Sequence, residues 1–299
     1  MIRAVSVLAA TFRGGGPTCE RVRLAGIDAV VARPAHDHGP VVVYVNAATP
    51  LGVDQPEVHW LLGGFAAAGF VAVAPELPRV KDGEVTPETV DALAAVARAA
   101  GPRVALVGAS TGAGLAILAA GDPRLADRVT AVAGIAPFAS LRNLLLLATT
   151  GYYEGRPFAA SSVVARMTAR SLEACAREDP AVAPLLANRD PRRFAALYEE
   201  LEPRTRAVVG ELSPVTRIGD VLAPIELVVS PTDRFFPVEE ARALAHAGRD
   251  VRLTVTRGLE HVRPRLAPGI VTVIAALDRT LRRAAAIQPA ADLRPSLAT

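Results

Sequence analysis

The segment Gly108-Ala109-Ser110-Thr111-Gly112 has the form Gly-x-Ser-x-Gly. It joins the apolar run "RVALV" to the Ala/Leu-rich run "AGLAILAA". A serine between glycines suits a sharp strand-to-helix turn that lifts a hydroxyl above a sheet. The residues two before and two after the serine crowd each other there, so Gly108 and Gly112 are expected to be there for lack of a side chain. The following helix would aim its unpaired first N–H groups at the same point. The bare pattern is weak, and its place after a strand strengthens it; a capping serine in an ordinary Gly-rich turn is the bland alternative. Two other glycine-rich devices fail. A phosphate loop needs Lys and then Ser or Thr where Ala113 and Gly114 stand, and a dinucleotide fingerprint counted from Gly112 needs a small residue at Ile117.

A serine hydroxyl attacks an acyl group only with a base beside it and a group to orient that base. At such a turn the partners follow in the order serine, acid, histidine. Of the five histidines, His36 and His38 lie upstream in a polar loop, and His59 and His246 fall in helical stretches. His261 follows a strand and the turn "RGLE", at a carboxyl strand end from which it can reach a site above the sheet. The acid is expected to be Asp233, delivered by Ser230-Pro231-Thr232 at the end of "IELVVSPTD"; its bland reading is a loop cap. Glu260 adjoins His261, but neighbouring side chains orient each other poorly. Asp250 lies at the amino end of its strand. The expected chemistry is acyl transfer, with Ser110 as nucleophile, His261 as base and Asp233 as orienting acid, and with no metal or cofactor.

The elements that must position these groups alternate strand and helix, which implies βαβ units and a parallel sheet. "AVSVLAATF" (4–12) and "RVRLAGIDAVVARP" (21–34) are expected as antiparallel edge strands, with Gly26 turning the second. Strands are then expected at 40–46, 70–77, 103–108, 128–138, 224–233 and from 251, with helices at 56–69, 86–101, 112–121, 237–248 and 268–285. From 139 to 220 the rhythm breaks into helical pieces, an insertion within an α/β core of residues 1–138 and 221–285. Residues 286–299 read as a flexible Ala/Pro-rich tail.

The chain has 299 residues, 51% hydrophobic and 21% charged, enough for a sizeable core. Its net charge of +3 rests on scattered arginines with Lys81 the single lysine, so the basic stripe of a nucleic-acid binder is missing. Cys19 and Cys175 form no metal or disulfide framework. The stretch 104–121 is free of charge but broken by four glycines, and no membrane span is expected. The start of the chain lacks a convincing signal peptide, which points to a cytoplasmic protein. No oligomeric state follows from the sequence.

The pieces "VVVYVN", "GFVAVAPEL", "VALVGASTG", "PIELVVSPTDRFFP" and "LEHVRP", in this order, resemble the α/β-hydrolase superfamily over nearly all of the chain outside 139–220. "VAPEL" is similar to the strand end of dienelactone-hydrolase-like members, which commonly carry cysteine where Ser110 stands. The resemblance implies a mostly parallel sheet with helices on both faces. It also implies a helical cap over the strand ends and an oxyanion hole from the N–H groups of Thr111 and Ala47. Asn46-Ala47-Ala48 replaces the His-Gly often found at that loop. Tyr152 and Tyr153 are expected to line an acyl pocket beneath the cap, and the substrate to be a small, apolar acyl compound. A carboxylic-ester hydrolase is the leading expectation. A peptidase, thioesterase or acyltransferase would use the same groups, and a non-catalytic accessory member would use none of them.

Overall fold

The computed structural model describes residues 2–13, 19–36 and 38–286. In chain order the elements are α1 (Ile2–Arg13), β1 (Glu20–Leu24), β2 (Ile27–Ala32), β3 (Val41–Val45), α2 (Pro56–Ala67), β4 (Val71–Pro75), α3 (Pro87–Ala100), β5 (Val104–Ala109), α4 (Thr111–Ala120) and β6 (Val129–Ile135). After β6 come α5 (Leu141–Thr150), β7 (Tyr152–Tyr153), β8 (Arg156–Pro157), α6 (Ser162–Cys175), α7 (Val182–Ala187), α8 (Pro191–Glu199) and α9 (Pro203–Glu211). The chain closes with β9 (Ile225–Val229), α10 (Val238–Ala247), β10 (Val251–Val255), β11 (Leu259–Glu260), β12 (Arg263–Pro264) and α11 (Ile270–Ala285).

Eight strands form one sheet in the order β1-β2-β4-β3-β5-β6-β9-β10. Only β2 runs antiparallel to its neighbours; the remaining pairs are parallel. Fully buried runs such as "VVVYV" and "VALVGA" make such strands, because helices cover both faces. Alternation sorts the side chains: Val41, Val43 and Val45 share a core with α3, α4 and α10, while Val42 and Tyr44 share the other with α1, α2 and α11. Strand order reverses between β3 and β5, since the chain goes from β3 out to β4 and then returns to β5 on β3's other side. Open α/β sheets form their ligand crevices at such a point, above the carboxyl strand ends.

The first expected strand is instead a helix. Residues 4–12 lie within α1, and the turn at Ala25-Gly26 makes a hairpin of β1 and β2 alone. Ala4, Val7 and Leu8 are buried while Arg3 and Val5 are exposed, a helical spacing that packs onto α2 and α11. The other core elements fall where expected, within a few residues at their ends.

Residues 139–220 hold five helices and the two-residue pair β7–β8, a pairing not expected from the sequence. Their Leu145, Leu172, Leu185 and Phe194 join the same hydrophobic cluster as Val43 and Leu106 of the sheet. Of the tail, residues 287–299 lie outside the described residues. Among the described residues, no helix is long and apolar enough to cross a membrane, and no group of three or more His, Cys, Asp or Glu side chains could hold a metal ion.

Candidate active site

Ser110 links the last residue of β5 to the first of α4 with φ 54° and ψ −122°, a conformation that a side-chain-bearing residue holds only under strain. Its N–H donates to the Ile135 carbonyl at 2.7 Å, and its own carbonyl accepts from Ala113 at 2.9 Å. The glycines permit the turn. A Cβ on Gly108 would stand 2.3 Å from the Gly112 oxygen, and one on Gly112 only 2.1 Å from the Val45 oxygen. Both clashes are with backbone, so neither can be relieved by a side-chain rotation.

His261 opens the two-residue loop of the β11–β12 hairpin, where Glu260 pairs with Arg263, and has φ 52°. The hairpin swings the imidazole over the sheet. Its Nε2 lies 2.9 Å from Ser110 Oγ and its Nδ1 lies 2.8 Å from Asp233 Oδ2. Asp233, buried just past β9, also accepts at Oδ1 from the N–H groups of Phe235 (2.7 Å) and Phe236 (3.2 Å). One carboxylate oxygen is thus committed to the loop and the other to the histidine. Glu260, the adjacent acid, is exposed and pairs with Arg265 at 3.7 Å.

Two residues at the site escaped sequence reasoning. Phe235 stacks on the His261 ring with centroids 4.0 Å apart and planes 18° from parallel, and Phe236 meets it edge-on at 5.9 Å. They fix the plane of the imidazole. The only hint was the doubled aromatic two residues after the acid, in "DRFFP".

Thr111 begins α4, so its N–H is one of those a helix start leaves without an intrahelical acceptor. Its hydroxyl donates to Met167 Sδ of α6 at 2.9 Å, which sets an inserted helix directly over the turn. Ala47 follows β3, on the far side of the reversal point. Its N–H donates to the Asn46 side-chain oxygen at 2.9 Å, while the Asn46 amide nitrogen donates to Gly52 O at 2.8 Å. The second expected oxyanion donor is therefore already engaged, and Asn46 holds the loop in shape.

The two tyrosines do not act as a pair. Tyr152 is half-buried in β7, whereas Tyr153 is buried among Phe138, Leu144, Met167 and Phe236. The Tyr153 hydroxyl donates to Glu240 Oε1 at 2.6 Å, and burial with that carboxylate beside it pushes the phenol far above its ordinary pKa. Glu240, wholly buried on α10, also accepts from the N–H groups of Ala139 (2.6 Å) and Ser140 (2.8 Å) and from the Asn143 amide (3.0 Å). Tyr153 thus ties residues 139–220 to the core. The Ser161 N–H adds a second tie, to the Arg234 carbonyl at 2.8 Å.

The fold has counterparts among solved structures. A puromycin-hydrolysing peptidase of Mycobacterium tuberculosis superposes with a TM-score of 0.59 at 17% identity, over 91% of this chain and 40% of its own. The acylaminoacyl peptidase of Pyrococcus horikoshii gives 0.58 at 13%, over 93% and 43%. A bacterial membrane phospholipase A gives 0.54 at 15%, over 93% and 91%. The chain has the α/β-hydrolase fold. It spans about two fifths of the length of the two peptidases. No family profile and no curated protein matches the sequence.

Proposed function

We propose that the chain is a serine hydrolase that cleaves a carboxylic ester through an acyl-enzyme on Ser110. The observation that carries this reading is the continuous chain from Ser110 Oγ through both nitrogens of His261 to Asp233, built on a strained serine at the reversal point of the sheet. His261 Nε2 takes the hydroxyl proton as Oγ bonds to the acyl carbon. The imidazolium then gives that proton to the leaving oxygen as the ester bond breaks. Water repeats the sequence on the acyl-enzyme and restores Ser110. Asp233 holds Nδ1–H and offsets the positive charge of the ring. Thr111 N–H supports the developing oxyanion, and Ala47 N–H joins it when the oxyanion competes with the Asn46 oxygen; one such donor is worth on the order of a hundredfold in rate.

The ester reading draws support from the phospholipase A, which is matched over nearly its whole length. Peptide-bond cleavage is the second reading, favoured by the peptidases that share the fold. The likeness of "VAPEL" to dienelactone-hydrolase-like members adds little, since Glu76 serves the loop after β3 by accepting from Val53 N–H at 2.8 Å. A non-catalytic accessory protein finds its one favourable observation in the engaged Ala47 N–H.

Intact mass after incubation with a fluorophosphonate decides between catalysis and an accessory role. A single adduct is expected on the wild type and none on Ser110→Ala. A folded wild type that takes no adduct overturns the hydrolase reading. Hydrolysis of p-nitrophenyl esters against N-acyl-aminoacyl p-nitroanilides then separates esterase from peptidase.

A further inference from the structure

A cavity of about 170 Å³ lies between the sheet and helices α1, α2 and α11, on the face that α4 does not cover. Its floor is the carboxyl half of the strands, with Val107, Ala109, Ala133 and Val228. Its walls come from Leu8 of α1, Val58 and Phe65 of α2, and Val273 and Ala276 of α11. Small residues on the strands and the helix open the space. Ala109, Ala133 and Ala276 stand where larger side chains would fill it. Folded interiors contain few voids larger than a water molecule. An apolar cavity of about 150 Å³ stays dry and accepts benzene.

Among the buried side-chain atoms of the lining, one oxygen lacks a partner. Gln55, at the start of α2, carries a buried side-chain oxygen with no hydrogen-bond partner. The one deeply buried charge in the wall is already answered, because both oxygens of Glu226 accept from the Arg279 guanidinium at 2.8 Å. The space therefore asks for an apolar body with one donor at its edge. We propose that this cavity is a binding site for a small apolar molecule of about one aromatic ring carrying a single hydrogen-bond donor, such as a phenol or a benzylic alcohol.

The site lies behind the catalytic groove and shares the Asn46-Ala47 loop with it. Neither Ser110 nor His261 lines it, and no residue of 139–220 does. Ala109 precedes the nucleophile, Leu259 and Val262 flank the histidine, and Asn46-Ala47 form the loop after β3. A ligand here braces the back of the catalytic segments without touching the reacting atoms. The proposal does not depend on Ser110 being reactive.

The test is phenol titrated into the full chain with methyl-labelled Val and Leu. The expected result is saturable binding at one site, with nuclear Overhauser contacts from the ring to the methyls of Val107, Val228 and Val273. Ala276→Phe fills the space and is expected to abolish that binding. Phenol is expected to bind about fivefold more tightly than toluene, with the preference removed in Gln55→Leu, as befits one hydrogen bond. Lack of saturation at 10 mM phenol (roughly the weak end of small-ligand affinities) overturns the proposal, as do contacts to the methyls of residues 139–220 instead. The contacts are read on the wild type, so the test remains decisive even where a variant fails to fold.

Discussion

Asp233→Asn keeps the shape of the side chain and changes what one atom can do. Oδ1 of Asp233 accepts two backbone N–H groups, at 2.7 and 3.2 Å. An NH₂ group placed there would face two donors, so the asparagine oxygen must take that side. Its nitrogen is then forced toward His261 Nδ1, the partner at 2.8 Å in the parent protein. The amide nitrogen can only donate, so Nδ1 must accept and the ring proton moves to Nε2. Nε2, 2.9 Å from Ser110 Oγ, then donates to the hydroxyl and can no longer take its proton. In a serine triad the wrong tautomer costs about 10⁴ in kcat, equivalent to about 5.5 kcal/mol. Fluorophosphonate labelling at pH 7, followed by intact mass, is expected to slow by about 10³–10⁴, with a melting temperature close to wild type because the loop hydrogen bonds survive. A folded variant that labels within tenfold of wild type would refute either the fixed amide orientation or the role of His261 as base.

Gly108→Ala drives a Cβ to 2.3 Å from the Gly112 oxygen, so backbone must shift by about 1 Å; such a misplacement lowers the labelling rate about a hundredfold. An unchanged rate would mean that the turn is slack. Arg279→Met strips the buried Glu226 of its two hydrogen bonds at 2.8 Å and leaves it only Arg283, 3.8 Å away. Urea unfolding should show a loss of about 3 kcal/mol, and a loss under 1 kcal/mol would count against burial of that charge. Burial, with Glu88, Glu211 and Glu84 adding to it, pushes the Cys175 thiol up to about 11. Because the thiolate is the reactive form, alkylation by iodoacetamide should rise about tenfold per pH unit from pH 8 to 10. Labelling at pH 8 as fast as free cysteine would contradict that environment.

The juxtaposition of Ser110, His261 and Asp233 was legible because each sits where local grammar is strict. A serine between glycines after an apolar strand, an acid just beyond a strand end and a histidine in a loop before the last helix all leave marks within a few residues. Features that depend on distant partners left none. Tyr153 reads as a pocket residue until Glu240, far along the chain, claims its hydroxyl. The two tyrosines were read at the end of a helical piece; as neighbours in the strand β7 they point to opposite faces and cannot share a role. The misreading of 4–12 came from taking "AVSVLAATF" as a β-rich run; burial at Ala4, Val7 and Leu8 follows a helical spacing instead. The cavity was invisible for another reason. It is a shortage of volume, and alanines on three elements spell it out only once those elements face one another.

The way Glu240 is satisfied limits how this protein can be rebuilt by recombination. Residues 139–220 look like an exchangeable cassette, yet they supply every hydrogen bond that the carboxylate accepts: two N–H groups, an amide and a phenol. A chimera with a foreign cassette keeps at most the two backbone donors and loses the Asn143 amide and the Tyr153 phenol, a deficit of about 3–5 kcal/mol at about 1.5–3 kcal/mol for each hydrogen bond to a charged group. The same cassette anchors at Arg234, beside the acid that orients His261. Transplants should therefore carry residues 139–240 as one piece, or replace Glu240 together with the cassette. Where the carboxylate travels alone, the graft loses the stability that its new specificity would need.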